Sequence, residues 1–67
     1  MEKSRFKVLI NWQGEVLIFY RWANSPAQAL RHAVRELARK VGYETKFVRK
    51  YVMDEQARRW EISKYSD

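Results

Sequence analysis

Two apolar runs near the start of the chain constrain its fold more than any other feature. The runs cover residues 6–10 and 16–22, and the segment Asn-Trp-Gln-Gly-Glu separates them. Runs of this length on either side of a short segment with glycine predict a β-hairpin. Because neighbouring strand residues point to opposite faces, the length of the hairpin loop decides which side chains share a face.

The hairpin loop has either two or three residues. A two-residue loop, Gln13-Gly14, places Arg21 on the face of Phe6 and leaves neither face free of charge. A three-residue loop that also takes in Trp12 gathers seven apolar side chains on one face: Phe6, Val8, Ile10, Val16, Ile18, Tyr20 and Trp22. A type I turn that ends in a glycine bulge fits this loop. We therefore predict the three-residue loop, with Trp12 exposed in the turn rather than buried as the last core residue of a strand.

The segment after the hairpin carries the signals of a helix. Ser25 is a suitable N-cap, Pro26 suits the first helical position, and Gln28 completes a capping box. Gly42 follows the last apolar residue and indicates the C-terminal end. We predict a helix over residues 26–41 whose apolar stripe covers the hairpin: Leu30, Ala33, Val34, Leu37 and Val41, with Ala38 at its margin.

The C-terminal third predicts two more strands. Residues 45–53 are rich in aromatic and β-branched side chains, and residues 58–65 alternate, with Trp60 and Ile62 on one side and Glu61, Ser63 and Tyr65 on the other. The phase of the first strand is open because each face carries a basic residue; we favour an inward set of Phe47, Tyr51 and Met53. A helix over residues 55–65 is the alternative to the last strand.

These elements predict an α+β fold of one domain, residues 1–67. A single helix packs on one face of an antiparallel sheet in the order β-β-α-β-β, with the last strand open to a helical alternative. One helix covers one face, so the other face of the sheet is predicted to be bare.

The residue content argues against catalysis and against metal or cofactor binding. The chain has no cysteine and one histidine, His32, which is expected on the polar side of the helix. Its two glycines have turn and cap positions and form no phosphate loop. The chain also has no apolar segment that predicts a signal peptide or membrane span. We expect a non-enzymatic cytoplasmic protein with no membrane contact.

Positive charge is concentrated in the middle of the chain. Residues 31–50 contain seven basic and two acidic residues, a net charge of +5 out of +6 for the whole chain. Arginines at 31, 35 and 39 follow one side of the helix, and their forked guanidinium groups suit phosphate. We predict nucleic-acid binding through six of these residues, with Trp12 as a stacking group: Arg31, Arg35, Arg39, Lys46, Arg49 and Lys50. The alternative is that these cations only form the solvent-exposed face of the helix and bind nothing.

A second candidate surface is the uncovered face of the sheet. With the three-residue loop, this face presents three apolar residues among basic ones: Leu9, Leu17 and Phe19. Such a patch on a bare sheet suits a protein partner or a second copy of the chain, which we favour, and single-stranded nucleic acid is the alternative. The sequence thus leaves protein interaction or homodimerisation as the alternative to nucleic-acid binding.

Overall fold

A computed structural model describes residues 3–65 as five elements in the order β-β-α-α-β. The elements are β1 (Ser4–Trp12), β2 (Glu15–Ala23), α1 (Pro26–Val41), α2 (Thr45–Val52) and β3 (Trp60–Lys64). The predicted α+β class with an antiparallel sheet is confirmed. The β-β-α-β-β order with a single helix is wrong, because the third predicted strand is the helix α2. No helix within the described residues is long and apolar enough to cross a membrane.

The three strands form one antiparallel sheet in the order β2-β1-β3. The strand β1 is therefore central, and β2 and β3 are edge strands. In β3, Trp60 pairs with Ile10 and Ile62 pairs with Val8, so both are on the same face as the apolar residues of β1. The predicted last strand is confirmed, and the helical alternative for residues 55–65 is wrong.

The loop between β1 and β2 is the two-residue loop Gln13-Gly14, with Trp12 paired to Glu15. The predicted three-residue loop is therefore wrong. Gln13 and Gly14 have φ angles of +52° and +88°, the signs of a type I′ turn, whose twist matches that of the flanking strands. The Asn11 side-chain oxygen accepts a hydrogen bond of 2.9 Å from the Gly14 amide.

Arg21 explains why the two-residue loop looked unfavourable in the sequence. This register places Arg21 opposite Phe6, on the face that the helices cover. However, β2 is an edge strand, and the Arg21 guanidinium pairs there with the Glu36 carboxylate of α1. A long cationic side chain can extend past an apolar face while its charged end meets a partner.

The helix α1 begins and ends where the sequence predicts. The Ser25 hydroxyl accepts a hydrogen bond of 3.2 Å from the Gln28 amide, and the Gln28 side-chain oxygen accepts one of 2.7 Å from the Asn24 amide. At the other end, Gly42 has a φ of +79°, and its amide donates to the Ala38 carbonyl at 2.9 Å. These caps satisfy backbone groups that the helix ends would otherwise leave unpaired.

The segment that forms α2 is helical although its residues favour strands. Val48 and Val52 are fully buried, and Tyr51 packs against the core between them. This three-and-four spacing forms one face of a helix, which contacts α1 and β1. Phe47 and Met53 are exposed, so the prediction that they point inward is wrong. Burial of the valine pair outweighs strand propensity, which is a weak preference.

The core lies between the two helices and one face of the sheet, here called the inner face. Its buried residues come from β1, β2 and both helices: Phe6, Val8, Ile10, Phe19, Ala23, Ala29, Leu30, Ala33, Val34, Leu37, Ala38, Val48 and Val52. Both helices lie on this side, so neither of them covers the opposite face of the sheet, here called the outer face. The molecule therefore presents two different surfaces, one helical and one of strands.

Candidate nucleic-acid interface

The three arginines of α1 are exposed. Arg31, Arg35 and Arg39 lie away from the buried stripe of the helix, as their spacing of four residues predicts. Both neighbouring pairs, 31–35 and 35–39, bring like charges close together along the helix, at a cost of a few tenths of a kcal/mol per pair. The side chains therefore form a cationic stripe that is open to a ligand.

The helix α2 places three more exposed cations beside α1: Lys46, Arg49 and Lys50. Because the two helices pack together, Arg31 and Arg49 line one groove of about 190 Å³. The rest of its lining is apolar and consists of Ala27, Leu30, Val34 and Met53. We call the six exposed cations, Arg31, Arg35, Arg39, Lys46, Arg49 and Lys50, the basic layer.

The carboxylates of the two helical segments are already engaged. Glu36 pairs with Arg21 of β2, and Glu44, at the N-cap of α2, pairs with Lys46 at 3.7 Å. Among residues 3–65, no carboxylate forms an ion pair with the other five members of the basic layer. Their positive charge is therefore available to an anionic partner.

Two exposed aromatic side chains accompany these cations. Phe47 of α2 is 58% exposed, and the Lys46 ammonium lies 5.6 Å from the centre of its ring. Tyr43, in the turn between the helices, is also exposed. Phe47 was not predicted at the surface, because the residues of this segment favour a strand in which Phe47 points inward. The spacing of Val48 and Val52 by four residues is the signal that places Phe47 off the buried face.

Trp12 is not the exposed turn residue that the sequence predicts. It ends β1 on the inner face and packs half-buried against the core. Its ring meets that of Tyr51 edge-on at 4.9 Å between centres and lies 5.7 Å from the ring of Tyr43. Aromatic pairs in this geometry stabilise a core, and we assign Trp12 a packing role.

Tyr51 ties three segments together beside Trp12. Its hydroxyl accepts a hydrogen bond of 3.1 Å from the Gln13 amide in the hairpin turn. The Arg59 guanidinium lies 4.0 Å from the centre of the Tyr51 ring and donates to the Tyr51 carbonyl at 2.7 Å. Arg59 thus holds the end of α2 and is engaged within the protein, unlike the five cations of the basic layer that have no carboxylate partner among residues 3–65.

Only one residue of the predicted interaction patch lies on the outer face. Leu9 does so, whereas Phe19 is 8% exposed in the core and Leu17 packs against the core from the inner face. The cause is the hairpin loop: a shift of one residue in register turns every side chain of β2 to the opposite face.

The outer face carries a different and larger apolar set. We call it the outer-face patch: Leu9, Val16, Ile18, Tyr20, Trp22 and Tyr65. The Arg5 guanidinium lies 5.3 Å and 5.0 Å from the ring centres of Tyr20 and Tyr65. The signal for this patch was the pair Gln13-Gly14, since two-residue loops are the commonest hairpin connections.

The described residues provide no metal centre. Residues 3–65 contain no group of three histidine, aspartate or glutamate side chains that could hold an ion. His32, the chain's one histidine, is half-buried on α1.

No protein-family model matches the chain, and no curated protein or solved structure matches it either. The functional assignment therefore depends on the geometry and chemistry of its own residues.

Proposed function

We propose that this chain binds nucleic acid through contacts between the basic layer and phosphate groups. The observation that carries the proposal is the cluster of exposed cations on two packed helices, five of them without a carboxylate partner among the described residues. Guanidinium groups donate two parallel hydrogen bonds to phosphate oxygens. Neutralisation of several phosphates by such a layer releases condensed counterions and drives binding without sequence preference.

Phe47 adds a contact that favours single strands. Its exposed ring lies within the basic layer, beside Lys46. Bases stack on exposed aromatic rings, and each such contact contributes about 1 to 3 kcal/mol in single-stranded complexes. Phe47 replaces Trp12 as the stacking residue in this proposal, because the Trp12 ring packs against two tyrosines.

We further propose a binding protein rather than an enzyme. The proposal is supported by what the sequence offers for chemistry: one histidine, no cysteine and two glycines that have structural positions. The groups that converge on the helical surface are cations and an aromatic ring. These groups bind a polyanion and do not form an acid–base pair.

Fluorescence anisotropy with a labelled oligonucleotide tests the proposal. We expect the oligonucleotide to bind at about 50 mM salt. The logarithm of affinity should fall linearly with the logarithm of salt concentration, with a slope between about −3 and −5 if most of the six cations contact a phosphate. Phe47→Ala should weaken single-strand binding by about 1 to 3 kcal/mol and leave the slope unchanged. Trp22→Ala is the matched control, because Trp22 is equally exposed but lies on the outer face.

If neither single-stranded nor duplex oligonucleotide bound at about 50 mM salt, the proposal would be contradicted. If Trp22→Ala weakened binding and Phe47→Ala did not, the binding surface would be the outer face rather than the basic layer.

A further inference from the structure

The outer face of the sheet is apolar where no part of the described chain covers it. Along β2, the outward side chains of Val16, Ile18 and Trp22 are 57%, 50% and 60% exposed, and Tyr20 is exposed between them. Leu9 extends the same surface onto β1. Contiguous apolar surface of this kind on a small protein marks a contact site.

We propose that the outer-face patch binds a second copy of this chain. The two sheets pack face to face about a two-fold axis. This axis runs between the sheets, parallel to both of them and perpendicular to the strands. This axis sets β2 of one copy on β2 of the other in the reverse direction. The arrangement goes beyond nucleic-acid binding and uses the opposite surface of the molecule.

The side chains along β2 are complementary in size when two copies pack about this axis. The outward row begins with two β-branched aliphatic residues, Val16 and Ile18, and ends with two aromatic residues, Tyr20 and Trp22. Reversal of the row places Trp22 of each copy opposite Val16 of the other, and Tyr20 opposite Ile18. Large side chains thus meet smaller ones, as interdigitation between packed layers requires.

The charges near the centre of the face also fit the same axis. Lys7 points outward from β1 and Glu61 from β3, where Glu61 is the cross-strand neighbour of Leu9. The axis that pairs Tyr20 with Ile18 sets Lys7 of one copy over Leu9 of the other, beside Glu61 of that second copy. In a two-fold interface this contact forms twice.

The size of the face predicts a weak dimer. The face is three strands wide and nine residues long, or about 14 Å by about 30 Å. In flat outline it covers about 400 Å² per copy and about 800 Å² in total, below the standard size of specific interfaces. We therefore expect a dissociation constant between about 1 and 100 µM.

Sedimentation of the full chain over a wide concentration range tests the dimer. The mass of the wild-type protein should rise from 8.2 kDa toward twice that value as concentration increases. Ile18→Lys should remain monomeric throughout, because Ile18 is also a cross-strand neighbour of Leu9 and a lysine there meets Lys7 of the other copy as a like charge. Phe47→Lys is the matched control, with the same change of charge on a residue of similar exposure in α2, and should dimerise like the wild type.

A charge exchange between Lys7 and Glu61 tests the axis. Lys7→Glu alone and Glu61→Lys alone should each raise the dissociation constant by at least about tenfold, because each creates two like-charge contacts across the interface. An equimolar mixture of the two variants should form a heterodimer at close to wild-type affinity, since both contacts are then complementary. Arg35→Glu mixed with Glu44→Lys carries the same charges on the helical side and should show no preference for heterodimers.

The proposal fails if the wild-type protein remains monomeric at about 300 µM, well above the expected dissociation constant. It also fails if Ile18→Lys dimerises normally, or if Trp22→Ala weakens oligonucleotide binding at concentrations where the protein is monomeric, which would assign the face to nucleic acid. Failure of nucleic-acid binding is a separate result, because substitutions in the basic layer leave the outer face unchanged. Circular dichroism of each variant at low concentration verifies the fold.

Discussion

Arg21 of β2 and Glu36 of α1 form an ion pair at the edge of the sheet. This pair accounts for the arginine on the face of the sheet that the helices cover. It also engages Glu36, which lies three residues before Arg39 and could otherwise neutralise part of the arginine stripe along α1. The same contact therefore supports the hairpin register and leaves the basic layer with its charge.

The stability that this ion pair contributes should be small. Its two side chains are 30% and 45% exposed, and such pairs contribute about 0.2 to 1 kcal/mol. A double-mutant cycle with Arg21→Met and Glu36→Gln in urea melts should give a coupling energy of about 0.5 kcal/mol. The cycle of Arg21→Met with Glu61→Gln is the control and should give none. Equal coupling in the two cycles would contradict the pair.

The type I′ turn predicts a stabilising substitution at Gln13. Its φ of +52° is unfavourable for most side chains, whereas asparagine tolerates this region and Asn-Gly is the preferred pair in such turns. Gln13→Asn should raise the free energy of unfolding by about 0.5 to 1 kcal/mol. Gln13→Val should lower it, because a β-branched residue resists positive φ. If urea melts showed that Gln13→Asn destabilises the protein and Gln13→Val stabilises it, the two-residue loop would be contradicted.

The two tryptophans of the hairpin should differ in their contribution to stability. Trp12 packs against the core and two tyrosine rings, so Trp12→Ala should cost about 2 to 4 kcal/mol. Trp22 is exposed, and Trp22→Ala should cost less than about 1 kcal/mol in dilute monomer. Urea melts measure both values. The reverse order would restore the three-residue loop, which buries Trp22 and exposes Trp12.

The loop after α2 predicts a dependence of stability on acid. A hydrogen bond of 2.9 Å from the Gln56 amide and the Arg59 guanidinium at 3.3 Å hold the pKa of Asp54 below its ordinary value of 3.8. A lowered folded pKa stabilises the protein above the unfolded value, and that stability is lost as pH falls through the folded value. Asp54→Asn should therefore be less stable than wild type at about pH 7, with a smaller difference at about pH 2. A constant difference in urea midpoint would contradict this contact.

The sequence predicts those parts of the fold that local chemistry determines. The ends of α1 follow from Ser25, Gln28 and Gly42, whose roles depend on residues within one helical turn. The hairpin register depends instead on a distant contact. The preference for a face without charge favours the three-residue loop, and nothing in the local sequence shows that Glu36 lies beside Arg21.

The residues of the candidate site also differ in whether local sequence or tertiary structure determines their exposure. The three arginines of α1 are exposed as predicted, because helical spacing alone places them off the apolar stripe. Phe47 and the outer-face patch were missed because each depends on tertiary structure. α2 is helical only through the burial of Val48 and Val52 against its neighbours, and the outward row of β2 follows from the hairpin register.

The salt dependence of oligonucleotide binding in two charge-matched variants tests whether the helices carry the binding surface. The first variant replaces Arg31, Arg35 and Arg39 with Gln, which retains helix propensity. The second replaces three cations outside the basic layer, Lys3, Arg58 and Lys64, with Gln, so that both lose three positive charges. Circular dichroism should show the same fold for both. We expect the first to flatten the slope of log affinity against log salt by about two to three units and the second to change it by less than about one. Equal flattening in both would show that net charge alone attracts nucleic acid, and would contradict a binding surface on the helices.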